Sequence, residues 1–106
     1  MSEYDDRQLK LMLSFIKNYQ LGHSSLSSLI CNLNALLNVL EDIDKKWIDL
    51  VTGYSGDLEE VYAVGLDQEK KEYSLRDREF INEAIQNILI LIHAKLPPQK
   101  EEDIEN

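Results

Sequence analysis

Apolar residues recur along this chain at steps of three and four in four separate stretches. From Tyr4 to Gln20 the series is Leu9, Met12, Phe15, Ile16 and Tyr19, a single stripe on a helix of period 3.6. Gly22 then suits a left-handed stop, and Ser24 or Ser25 offers a hydroxyl to the free amides of the next helix. The second stretch, Leu26–Leu40, carries Leu26, Leu29, Ile30, Leu33, Leu36, Leu37 and Leu40, with Ser27, Ser28, Asn32, Asn34 and Asn38 between them. Glu41–Asp44 interrupts the pattern, and Asp42 or Asp44 is placed to cap a third helix, whose positive N-terminal end favours a carboxylate. Trp47, Leu50, Val51 and Tyr54 open its apolar side, and Leu58, Val61, Tyr62, Val64 and Leu66 continue it. Gly53 and Gly56 each weaken a helix interior by about 1 kcal/mol relative to Ala. The third stretch is therefore either one bent helix of about 25 residues or two shorter ones broken near Gly53–Gly56.

Gln68–Tyr73 reads as a charged loop. The next four residues, Ser74-Leu75-Arg76-Asp77, resemble a capping box with Asp in the place of the usual Glu. A fourth stripe follows, Phe80, Ile81, Ala84, Ile85, Ile88, Leu89 and Ile92, until Pro97–Pro98 ends it. Four amphipathic segments on short connections predict an all-α antiparallel bundle of four helices, or five if the third breaks. Residues 1–96 form its single domain, and 97–106, with no core-forming pattern, make an acidic and flexible tail.

Charge changes this picture, because it is localised. The chain of 106 residues has a net charge of −9, and the stretch Glu41–Glu72 holds ten carboxylates against four lysines, while residues 21–40 carry no formal charge. Phosphate ligands would be repelled, so nucleic acid and anionic membrane surfaces are excluded as partners and a basic protein is favoured. No apolar run approaches the roughly 20 residues of a membrane span, and the N-terminus has no signal-peptide pattern. The charge-free second helix has two readings: it lies centrally between the others, which is the reading preferred here, or its outer face mediates self-association. Cys31, alone among leucines, reads as a small buried hydrophobe in a reducing, cytoplasmic setting.

Candidate chemistry is sparse. His23 and His93 lack the Glu three residues earlier that a di-iron helix pair uses, so no metal is expected. Cys31 and the serines at 24–28 have no base beside them, and no Gly-rich phosphate loop occurs. Neither a catalytic residue nor a cofactor follows from the sequence, and the chain is read as a non-enzymatic binding protein. Its partner-binding residues are the polar side of the acidic stretch, Asp42, Asp44, Asp49, Asp57, Glu59, Glu60 and Asp67. Tyr54, set between the two glycines, is the aromatic anchor of that surface, as aromatic rings often are at protein interfaces. Trp47 and Tyr62 are read as core.

Taken together, a helix ending in a Tyr-x-x-Gly turn (YQLGHSSLSSLI), a Leu-rich second helix, WIDL, the Leu-Glu-x-x-Tyr-Ala element LEEVYAVGLD and a closing Ile/Leu-rich helix give a recognisable pattern. The chain resembles bacterial immunity proteins of polymorphic toxin systems, including those of contact-dependent growth inhibition, from about Leu9 to Ile92. The resemblance implies a cytoplasmic antidote that binds a cognate secreted toxin domain, often a nuclease, as a monomer in a 1:1 complex. The acidic stretch fits that expectation, since carboxylates can occupy a basic nuclease site in place of phosphates. The other reading of the same residues is an acidic helical adaptor that self-associates or binds another basic protein.

Overall fold

The structure, a computed structural model, describes residues 2–67 and 73–96. They form four helices: α1 (Glu3–Gln20), α2 (Leu26–Val39), α3 (Lys45–Asp67) and α4 (Leu75–Lys95). No strand occurs among the described residues, and the fold is an all-α four-helix bundle. The tail and most of the Gln68–Tyr73 loop lie outside the described residues.

Each helix begins where a short polar side chain satisfies amides that the helix itself cannot. Ser2, Ser25 and Ser74 accept from the backbone N–H groups of Asp5, Ser28 and Asp77. At α3 the choice falls on Asp44, whose carboxylate accepts from the Trp47 N–H at 3.1 Å. The end of α1 is a Schellman motif: the Gly22 N–H donates to the Tyr19 carbonyl, and the His23 N–H to that of Asn18. Gly22 has φ +83°, the left-handed conformation that the motif requires and that a side chain disfavours.

The helices run antiparallel in a ring. Asp5, in the first turn of α1, meets residues 41 and 42 just beyond α2. Asn34 of α2 meets Ser55 of α3, and the Trp47 indole N–H at the start of α3 donates to the Leu91 carbonyl near the end of α4. Each helix packs on the two beside it, with α1 and α4 the most loosely joined pair. The core runs through Leu9, Met12, Ile16, Leu29, Leu33, Val51, Leu58, Ile85, Ile88 and Ile92. These are the positions that the three-and-four spacing picked out, because only one arc of each helix faces its neighbours.

Of the two readings of the third stretch the structure has the single helix: α3 is continuous, and Gly53 and Gly56 sit within it facing open space. Tertiary packing on both sides of the glycines, through Val51, Ser55 and Leu58, outweighs their low helix propensity. Other expectations are corrected. α2 is not central: it packs on α1 and α3 only and leaves Ser28, Cys31, Ala35, Asn38 and Val39 in solvent. Cys31 is accordingly exposed, since it points away from the Leu26–Leu33 stripe. Leu50, Val64 and Phe80 are exposed by 46%, 44% and 40%, although the spacing places each on an apolar stripe. Leu50 lies about 60° round the helix from Trp47, at the rim of the arc that neighbouring helices cover.

Candidate functional site

The acidic residues singled out in the sequence occupy three different settings. At the α2–α3 turn, Asp42 and Asp44 are bound into the fold. The Asp42 side chain is exposed, but its N–H, with that of Glu41, donates to the carboxylate of Asp5, at 2.6 and 3.0 Å. Asp44 caps α3 and also takes a 2.9 Å ion pair from Lys95 of α4. That ammonium, and after it the Trp47 N–H, holds Asp44 below the ordinary carboxylate value. Asp44 thus joins α3 to α4.

On α3 itself, a helix turning about 100° per residue brings Asp49 and Glu60 to within about 20° of each other on the outer face. They stand about 16 Å apart along the axis. Gly53 and Gly56 lie between them, and a Cβ built at either would meet nothing within 4 Å. Asp49 pairs with Lys45 one turn earlier at 3.2 Å in an exposed i,i+4 contact, the kind that adds little to stability. Glu60 is exposed and has no hydrogen-bond or ion-pair partner among the described residues.

Asp57 and Glu59 flank this outer line on opposite sides, about 160° apart round the helix. Asp57 is half-buried on the side towards α4 and has no partner among the described residues. Tyr54 is on the same side, half-buried and packed on the core, so its ring is only partly available as an anchor. Glu59 is on the α2 side, where its carboxylate accepts from the Asn34 amide at 2.7 Å. The Asn34 carbonyl oxygen accepts in turn from the buried Ser55 hydroxyl at 2.9 Å. Glu59, Asn34 and Tyr62 line a shallow groove of about 330 Å³ with Ser27, Ile30 and Cys31. Asp67 is the last residue of α3, and its side chain lies outside the described residues.

The seven predicted residues whose side chains are described therefore do not form one patch. Asp49 and Glu60 share a face, Tyr54 and Asp57 share a flank, Glu59 belongs to the opposite flank, and Asp42 and Asp44 serve the bundle's end. Sequence reasoning missed Asp5 and Ser55, both fully buried polar residues. Ser55 had a signal: it stands four residues after Val51 and three before Leu58, in register with the core. Asp5 had none, because its role depends on amides 36 and 37 residues away.

Among the described residues no three His, Cys, Asp or Glu groups converge as metal ligands, and no helix is long and apolar enough to cross a membrane. No family model, curated protein or solved structure matches the chain.

Proposed function

We propose that this chain is an immunity protein, a non-enzymatic antidote that binds the cognate toxin domain of a polymorphic toxin system in the cytoplasm. The toxin is of the nuclease class, and an acidic surface of the antidote covers its basic active site. The observation that carries this reading is the pair Asp57 and Glu60, carboxylates on α3 without an internal partner among the described residues. Complementary charge across an interface speeds encounter and selects the partner. Carboxylates that serve no internal pair are available for that purpose, and the overall charge of −9 adds to the steering. The antiparallel bundle supplies a rigid support, so little ordering is needed on binding.

A reading frame immediately upstream that encodes a large secreted protein ending in a nuclease-like domain identifies the partner to purify. Affinity of the pair is expected to fall steeply with added salt, and reversal of Asp57 and Glu60 together to weaken it by about tenfold or more. Affinity that ignores both salt and the double reversal overturns the electrostatic mechanism.

A second reading has one observation in its favour. The outer face of α2 is exposed and free of formal charge, so two strongly acidic copies could meet there with the least repulsion. Sedimentation of the chain alone decides: a concentration-dependent dimer supports a self-associating adaptor, and a monomer at all concentrations removes it.

A further inference from the structure

Between the end of α1 and the first turns of α4, the most loosely joined pair of helices, lies a cleft of about 480 Å³, at the end of the bundle that holds the α1–α2 turn. Its volume is in the range of small-molecule sites, which run from about 300 to 1,000 Å³. The floor is apolar, made by Ile81 and Ile85, which are 2% and 1% exposed. Around it stand Tyr19, Gln20 and Ser24 from the α1 side and Arg78 and Asn82 from α4. None of these five side chains makes a hydrogen bond or ion pair with another described residue. The lining includes no Asp or Glu among the described residues, although the chain has 20 of them. Its one formal charge is the Arg78 guanidinium, whose planar fork matches a carboxylate.

We propose that this cleft is a binding site for a small amphipathic carboxylate, its acid group on Arg78 and its apolar body along the half-buried Tyr19 ring, above Ile81 and Ile85. The neutral Asn82, Gln20 and Ser24 side chains supply further hydrogen bonds at the rim. Burial, and after it the neighbouring Tyr73, raises the Tyr19 pKa, so its hydroxyl stays a neutral donor at physiological pH. The site lies on a different part of the surface from the carboxylates of α3 and does not depend on what those bind.

The test is a titration of isotope-labelled protein with hexanoate, hexanol and hexylammonium in turn, followed through backbone amide resonances. Hexanoate is expected to give saturable shifts centred on Tyr19, Ser24, Arg78 and Asn82, and to bind more tightly than the other two probes. Arg78→Gln, a change at an exposed position that leaves the core intact, is expected to weaken hexanoate binding about tenfold and to leave hexanol unchanged. The proposal is overturned if hexanoate gives no saturable shifts, if the three probes bind alike, or if the variant binds hexanoate as the wild type does.

Discussion

A carboxylate buried without partners would be costly, and Asp5 is fully buried. Its position is tenable because two backbone amides beyond the end of α2 donate to it, while the first turn of α1 presents a positive dipole end. The side chain therefore acts as a brace between α1 and the α2–α3 turn. Asp5→Ala leaves two amides without their acceptor and is expected to lower unfolding free energy by about 2–3 kcal/mol in urea denaturation. Asp5→Asn, which keeps one acceptor oxygen, should lose less, and a wild-type midpoint for the alanine variant would refute the brace. Asp44 gives the corresponding prediction in pH. Its folded pKa is depressed below the ordinary 3.8 by the Lys95 ammonium and then the Trp47 N–H. The resulting stabilisation is present above 3.8 and is lost as pH falls from there through the lower folded value. Asp44→Asn keeps a cap but removes the charge, so its stability should differ from wild type near neutrality and converge with it in acid. Because Asp44 is solvent-exposed the difference will be small, and a gap that persists unchanged in strong acid would exclude the pairing as its source.

At the scale of elements, α3 is decided by its two glycine settings. Gly53 and Gly56 are helical and face open space, so an added methyl clashes with nothing and reduces the freedom of the unfolded chain. Alanine at either is expected to stabilise the protein by about 0.5–1 kcal/mol, read as a rise in thermal midpoint. Gly65 differs, because a Cβ there would come within 3.1 Å of the Tyr73 ring, and Gly65→Ala should gain less than the other two. Equal gains at all three positions would mean that the Tyr73 contact does not constrain α3. The same helix shows what could be read in advance. Trp47, Val51 and Leu58 obey the helical period and are buried, as local spacing alone suffices to predict. Leu50 and Val64 belong to the same broad apolar arc, yet their exposure depends on how far α4 reaches round α3, which is a tertiary fact. Cys31 failed for a related reason: leucine-rich surroundings in sequence say nothing of which side of α2 a given residue takes.

For the molecule as a whole, the acidic stretch was legible as an excess of charge but not as a surface. Charge counts ignore direction, and on α3 direction separates residues that are neighbours in sequence. Asp57 and Glu59 stand on opposite flanks about 160° apart, the first without an internal partner among the described residues and the second bound to Asn34. A basic partner lying against one flank leaves the other in solvent, where a charge more than about 10 Å from the interface is largely screened. If the proposed toxin domain is the partner, the reversals Asp57→Lys and Glu59→Lys should therefore have unequal effects on its affinity. The free carboxylate is the one expected to matter, with Asp57→Lys costing about tenfold and Glu59→Lys less than about threefold. Glu60→Lys, on the outer face between them, should fall between the two. Dominance of Glu59→Lys would move the docking surface to the α2–α3 groove beside Cys31, with the Ser55–Asn34–Glu59 chain as its support. Equal losses at all three would show that the partner responds to net charge and to no particular face of α3.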